Sequence, residues 1–181
     1  MKTIYIPKME EMFDEETEEF FTVPETKIVL EHSLVSISKW ESIWHKVYLS
    51  EKPKSNEETL SYIECMTITQ NVNPYIYKVL PNTAIDEITK YINDPMTATT
   101  INDINEKKGS KEIITSELVY YWMFKLNIPK ECEKWHFNRL MTLIKIYGVK
   151  DAPPKKMNKN DIYKQNNALN AIRRAKMKTK G

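Results

Sequence analysis

Cysteine and histidine residues at ligand spacing point to metal chemistry in one part of this chain. Cys132 and His136 are four residues apart, so one face of a helix would present both side chains to a metal ion. A zinc site needs three or four ligands, and the sequence holds no second pair at such a spacing. We therefore interpret Cys132 as core filler and His136 as a helix-surface residue, and we predict no metal site and no cofactor.

His32 next to Ser33 supplies the residue types of a nucleophile and its base. The Gly-x-Ser-x-Gly turn that exposes a nucleophilic serine is missing from the sequence, and catalytic triads are assembled from residues far apart in the chain. Capping and turn hydrogen bonds explain Ser33, Ser36 and Ser38 better. We predict no catalytic residues and a protein that is not an enzyme.

Seven carboxylates lie within residues 9–19, in a strongly hydrophilic run. Catalytic carboxylates need pockets that push their pKa values apart, and nothing in this run indicates such a pocket. The run is typical of a solvated face, with repulsion of wrong partners or binding of a basic partner as its second interpretation.

The charge of the chain is divided between its two ends. Its 181 residues carry 27 bases and 25 acids, a net charge of +2. Residues 1–33 hold nine acids and three bases (−6), whereas residues 149–181 hold ten bases and two acids (+8). Such asymmetry is typical of an interaction surface or tail. The −6 end of one copy would attract the +8 end of another, so we hypothesise that the chain forms a homo-oligomer.

The elements that must position these residues follow from the hydrophobic spacing. Residues 3–6, 20–23 and 26–30 are β-prone, with an acidic connection between the first two. Helices are predicted to start near 36–38, with a Ser38–Glu41 capping box, and at Ser55 with a Ser55–Glu58 box. Further helix starts are predicted at Pro74, 82–83, Thr115, Pro129 and 158–161, the helix after Thr115 being a central core helix and the helix 129–147 ending at Gly148.

These elements predict a mainly α fold: a compact helical domain with a small N-terminal β-arm or sheet and a partly detached basic C-terminal helix. The predicted divisions are an acidic β-arm (1–33), a helical core (34–148) and a Pro-containing linker with the basic helix (149–181), and residues 96–112 are predicted to form a long surface loop. With 3 Gly, Gly-rich phosphate loops are excluded. No apolar run approaches the roughly 20 residues of a membrane helix, so we expect a soluble intracellular protein that binds no membrane.

Partner binding is the function that these features favour. Most aromatic side chains are expected in the core, leaving a few for a docking surface, and the last helix carries only a narrow apolar stripe. Nucleic acid is disfavoured as a partner because no aromatic residue is interleaved with the basic residues after Tyr163. The predicted partner-binding residues are Trp44, Tyr48, Tyr75, Tyr77, Ile162, Tyr163, Leu169, Ile172, Arg173 and Arg174.

Seven segments spread over most of residues 28–176 share their order and spacing with one known group of proteins. The segments are 30–44 (LEHSLVSISKWESIW), 58–67 (ETLSYIECMT), 95–99 (PMTAT), 114–123 (ITSELVYYWM), 127–140 (NIPKECEKWHFNRL), 155–158 (KKMN) and 168–175 (ALNAIRRA). In these segments the chain resembles the tail assembly chaperone family of tailed bacteriophages.

The resemblance implies a helper that keeps a long, helix-rich tape-measure protein soluble while tail-tube subunits assemble around it in the host cytoplasm. The family has no catalytic residues to transfer to this chain. Two alternatives stay open: a structural virion component that locks neighbouring subunits through its terminal arms, and a nucleic-acid-binding accessory protein that uses the basic residues of 155–180.

Overall fold

A computed structural model describes residues 1–14, 18–100, 113–150 and 159–177 of the chain. Four short strands are followed by helices, which confirms the predicted mainly α fold with a small N-terminal β region. The elements are β1 (Lys2–Ile6), β2 (Met9–Asp14), β3 (Glu19–Val23), β4 (Thr26–Leu30), α1 (Leu34–Trp44), α2 (Asn56–Met66), α3 (Tyr75–Lys78), α4 (Asn82–Asn93), α5 (Ser116–Lys125), a 3-10 turn (Lys130–Lys134), α6 (Phe137–Lys150) and α7 (Lys159–Met177).

The chain divides into two compact units, Met1–Tyr147 and Gly148–Gly181. The first unit includes the strands as well as the helices up to Tyr147, whereas the sequence predicts a division between residues 33 and 34. The reason is burial: inward side chains of β1 and β4, such as Ile6 and Ile28, belong to the same core as Leu34 of α1. The second boundary lies one residue before the predicted one.

The β region consists of two nested antiparallel pairs. β1 pairs with β4 from Lys2↔Leu30 to Ile6↔Thr26, and β2 pairs with β3 inside the connection between them. Ile4 and Ile6 are buried while Tyr5 between them is 68% exposed, the alternation expected of a strand with one face on the core. β2 lies in the segment that was predicted to be only an acidic connection between strands, so the prediction for that segment is wrong. Its strand conformation comes from pairing with β3, which local composition does not reveal.

Helix α1 begins earlier than predicted. Its N-cap is Ser33, whose Oγ accepts a hydrogen bond from the Ser36 N–H at 3.3 Å, while the Ser33 N–H donates to Ser36 Oγ at 3.0 Å. The predicted start at 36–38 with a Ser38–Glu41 box is therefore wrong, although the capping role expected of Ser33 and Ser36 is confirmed. The residue before this cap is bonded to a distant part of the chain: the Phe137 N–H donates to the His32 carbonyl at 2.8 Å.

Helix α2 has the capping box that its sequence predicts. The Glu58 N–H donates to Ser55 Oγ at 3.1 Å, and the Ser55 N–H donates to Glu58 Oε2 at 2.9 Å. The Thr115 cap of α5 and the bounds of α4, from Asn82 to Asn93, are also confirmed. These starts and stops depend on residues three or four apart, so local sequence is enough to find them.

Replacing Ser55 with Ala is expected to lower the free energy of unfolding by about 1 kcal/mol, because the Glu58 N–H loses its acceptor at the start of α2. The matched control is Ser42→Ala, since Ser42 is exposed within α1 and caps no helix N-terminus; its effect is expected to stay within about 0.5 kcal/mol. Urea unfolding followed by circular dichroism measures both changes. Equal losses in the two variants would contradict the capping role.

The predicted long helix 129–147 is interrupted. A 3-10 turn covers Lys130–Lys134, Trp135 is extended, and α6 starts at Phe137. The break has a tertiary cause: His136 forms a β-bridge with Ser33, which an uninterrupted helix would not allow. At the other end α6 continues through Gly148 to Lys150, so the predicted C′ role of Gly148 is also wrong.

Helix α5 is less central than its apolar sequence suggests. Val119 and Met123 are buried, but Tyr121 and Phe124 on its other side are 56% and 67% exposed. The predicted all-round core helix is therefore wrong. Most of the surface loop predicted for 96–112 lies within residues 101–112. The Pro-containing part of the predicted linker, residues 151–154, lies within residues 151–158. Both 101–112 and 151–158 are outside the described residues. No helix in the described part of the chain is both long and apolar enough to cross a membrane.

Candidate functional site

Helix α7 carries six of the ten predicted partner-binding residues. It has 19 residues, and every side chain described along it is exposed. Leu169 and Ile172, at 44% and 65% exposure, are three residues apart and therefore lie on one face of the helix, while Tyr163 is 69% exposed elsewhere on it. Arg173 and Arg174 are also exposed. Ile162 belongs to α7, but its side chain is outside the described set.

The four aromatic residues predicted from the first unit do not form one surface. Tyr48 and Tyr77 are buried in the core, so their rings are not available for docking. Trp44 is half-buried on α1, where its indole N–H donates to Ser61 Oγ of α2 at 2.9 Å. Tyr75 is half-buried and stacks on Phe21 of β3, with ring centroids 4.4 Å apart. Trp44 and Tyr75 thus serve mainly to join elements of the first unit.

An exposed aromatic pair at the β2–β3 hairpin is not among the partner-binding residues that the sequence predicts. Phe13 and Phe20 are directly paired across the two strands, with ring centroids 5.1 Å apart and 49% and 75% of their surfaces exposed. Around them the sequence is acidic, and Glu10 and Glu18 are exposed. The signal in the sequence is two phenylalanines, one within the acidic run and one directly after it. Recognising it required the pairing register of the strands.

A buried polar cluster beneath α1 brings both candidate histidines together. His32 Nδ1 forms a hydrogen bond with the Tyr62 hydroxyl at 2.5 Å, and the rings of His32 and His136 are 5.1 Å apart. His136 Nε2 lies 3.0 Å from the Tyr91 carbonyl oxygen, and the Tyr91 hydroxyl donates to Glu31. His136 is 6% exposed, so its prediction as a helix-surface residue is wrong.

The chemistry open to this cluster is limited by burial. Burial lowers the pKa of His32 to about 3 and also lowers the pKa of His136, with the charge of His136 a further cause for His32. Both rings are therefore neutral at pH 7. His136 Nδ1 is buried and lacks a hydrogen-bond partner in the described part of the protein. Neutral, packed imidazoles of this kind link elements of the core, which is how we interpret them.

The burial of Cys132 tests the prediction that it fills the core. Cys132 is 5% exposed, which confirms it as core filler. Burial raises the pKa of the Cys132 thiol and of the Cys65 thiol, so neither is activated as a thiolate nucleophile. Among the residues that the structure describes, no group of three or more His, Cys, Asp or Glu side chains is arranged to hold a metal ion.

A buried carboxylate, Glu41, joins three parts of the first unit. It lies on α1 and is 8% exposed. One oxygen accepts from the Tyr48 N–H at 2.9 Å, and the other accepts from the Ser116 N–H at 2.8 Å at the start of α5. Negative charge at a helix N-terminus is favourable. Glu41 therefore acts as a structural clamp between α1, the loop after it and α5.

Comparisons of the chain with protein-family models, with curated proteins and with solved structures find no match. The surfaces described above must therefore be interpreted from their own chemistry.

Proposed function

We propose that this chain is a non-enzymatic tail assembly chaperone of a tailed bacteriophage, acting in the host cytoplasm on tape-measure or tail-tube proteins. The proposal combines the sequence resemblance of residues 30–175 with one observation of the structure. That observation is the exposed Leu169–Ile172 stripe of α7, with Arg173 beside it and Arg174 also exposed on the helix.

The stripe supports binding because it offers both an apolar contact and charge selection. Burying a Leu or Ile side chain contributes about 1.5–3 kcal/mol, so two such residues provide a modest anchor. A helix with anchors at this spacing fits against a second amphipathic helix or a groove. The basic side chains beside the stripe favour partner segments that are acidic.

A modest anchor is what a chaperone needs. A protein that holds an assembling subunit and then leaves it has to bind reversibly, whereas a permanent subunit contact usually buries a large apolar area. The narrow stripe of α7 fits the first kind of binding. The interior polar groups, in contrast, are committed to structural contacts such as those of Glu41 and His32.

Replacing Leu169 and Ile172 together with Ala is expected to weaken capture of the tape-measure or tail-tube protein by about tenfold or more, because tenfold corresponds to about 1.4 kcal/mol. Alanine keeps the helix while removing the apolar stripe. Co-expression of the full-length chain with each partner, followed by quantitative affinity purification, measures the loss. The matched control is Ile43→Ala with Phe124→Ala, which removes two exposed apolar side chains from the first unit.

The location of the protein in the assembly pathway tests the proposal independently. A chaperone is expected to co-purify with its partner during assembly and to be missing from mature particles. Stoichiometric copies in purified virions would overturn the chaperone proposal and favour the structural component instead. Steeply salt-dependent DNA binding that disappears when residues 155–180 are deleted would favour the nucleic-acid accessory function.

A further inference from the structure

The β2–β3 hairpin presents an apolar pair in an acidic setting. Residues 9–23 contain seven acids and no base. Phe13 and Phe20 share the outer face of the hairpin, because they are direct cross-strand partners and are both exposed. On the opposite face Val23 is fully buried and Phe21 is stacked on Tyr75, which attaches the hairpin to the first unit. One face of the hairpin therefore packs on the rest of the first unit, and the outer face is left exposed.

Helix α7 has the complementary properties. Between Lys159 and Met177 it contains five bases and one acid. Leu169 and Ile172 form its exposed apolar stripe, and Arg173 lies next to this stripe on the helix. Arginine guanidinium groups also stack favourably on aromatic rings such as those of Phe13 and Phe20.

We propose that the outer face of the β2–β3 hairpin of one copy binds the apolar stripe of α7 in a second copy. Charge selects this pairing over the other two contacts available between copies. Each hairpin carries seven acids and no base, and each α7 helix carries a surplus of four bases, so hairpin–hairpin and α7–α7 pairings are both repulsive in net charge. The contact between a hairpin and an α7 helix brings opposite charges together, and it packs the aromatic side chains of the hairpin against the aliphatic side chains of α7.

Each copy carries both the β2–β3 hairpin and α7. If the hairpin of each copy binds α7 of the other, two identical interfaces form about a two-fold axis, which is the commonest symmetry of homo-oligomers. Doubling makes individually weak contacts effective, because the second contact forms within an already joined pair. This inference concerns association between copies and holds whether or not the proposed chaperone function is correct.

Sedimentation of the full-length chain at several protein concentrations tests the proposal. We expect a concentration-dependent dimer at about 0.01 M salt, where the Debye length is roughly 30 Å, and at least about tenfold weaker association near 1 M salt, where it is roughly 3 Å. A monomer at every concentration in low salt would overturn the proposal, and it would be the result if α7 bound a hairpin within its own chain.

Charge reversal identifies the two surfaces. Glu10→Lys with Glu18→Lys reverses exposed charges of the hairpin, and Arg173→Glu with Arg174→Glu reverses exposed charges of α7. Each variant alone is expected to associate at least about tenfold more weakly at low salt. The control, Lys52→Glu with Lys130→Glu, makes the same change in net charge as the α7 variant at exposed sites in the first unit, and it should still associate.

Mixing the two reversed variants is the decisive measurement. In a mixed dimer the unaltered hairpin of one variant meets the unaltered α7 of the other, a contact that neither variant can make alone, so mixed dimers are expected to form. If the mixture stays monomeric although each variant keeps the circular dichroism spectrum of the parent, the proposed pairing is overturned. The uncharged variant Phe13→Ser with Phe20→Ser provides a second test, because it should weaken association at both salt concentrations, and unchanged association would contradict the proposal.

Discussion

Lowering the pH from 7 to 4 is expected to reduce the free energy of unfolding by about 3 kcal/mol through His32 alone, because a pKa difference contributes about 1.4 kcal/mol per pH unit. Burial lowers the pKa of His32 in the folded protein from 6.5 to about 3. Between about pH 6.5 and pH 3, His32 is therefore protonated in the unfolded chain but neutral in the folded chain. The stability is complete above pH 6.5 and is lost progressively towards pH 3.

The surroundings of His32 explain why it stays neutral. Its Nδ1 is bonded to the Tyr62 hydroxyl, and Phe137 and Tyr48 pack around the ring. The neighbouring His136 is another buried base, so a proton on either ring would repel a proton on the other. The lowered pKa of His136 adds to the loss in the same direction.

His32→Asn separates this effect from general acid unfolding. Asparagine can place a hydrogen-bonding group near the Nδ1 position and does not titrate in this range. Urea unfolding at pH 7, 5.5 and 4 should show a shallower pH dependence in the variant than in the parent. The control is His45→Asn, since His45 is exposed at the C-cap of α1 with φ of 51°, a conformation that Asn accepts. Parallel pH profiles for the parent and His32→Asn would contradict the prediction.

Removal of the Glu41 carboxylate is expected to lower the free energy of unfolding by about 2–5 kcal/mol, because each buried N–H left without an acceptor costs about 1–3 kcal/mol. In Glu41→Ala the Tyr48 N–H and the Ser116 N–H both lose their partner, and Ser116 is only 1% exposed. Water therefore has little access to replace the carboxylate. The loss is expected to be measurable by urea unfolding at pH 7.

Glu41→Gln sharpens the test because it keeps the size of the side chain. A carboxamide offers one acceptor oxygen and one NH₂ group, which cannot accept from a backbone N–H. One of the two bonds is therefore lost, and the variant should fall between the parent and Glu41→Ala. The control is Glu51→Ala, at an exposed loop position, which is expected to change stability by less than about 0.5 kcal/mol. Equal stability of Glu41→Gln and the parent would show that the two bonds are not both needed.

Helix starts were predictable where the deciding contacts are local. The Ser55–Glu58 box and the Thr115 cap involve residues three apart, and both are present. The start of α1 was missed although its Ser33–Ser36 capping box is also local. The start of α6 was wrong because the Phe137 N–H donates to the His32 carbonyl, more than a hundred positions away. Local periodicity contains no information about such a partner.

The candidate surfaces divide in the same way. The exposed stripe of α7 could be predicted because Leu169 and Ile172 are neighbours through the helical repeat alone. The aromatic pair of the hairpin could not, because Phe13 and Phe20 meet only after β2 and β3 are paired in register. Tyr48 and Tyr77 were predicted to be docking residues but are buried. Their burial could not be predicted because it depends on packing from several elements.

The sequence by itself determined the mainly α class, the divided charge, the local helix caps and the basic, sparsely apolar last helix, since all of these depend on composition or on residues within one helical turn. Only the tertiary structure decided that the acidic run contains a strand, that two histidines meet in the core and that Glu41 bonds to the start of α5. Those features rest on contacts between distant segments, and such contacts exist only once the core has brought the segments together.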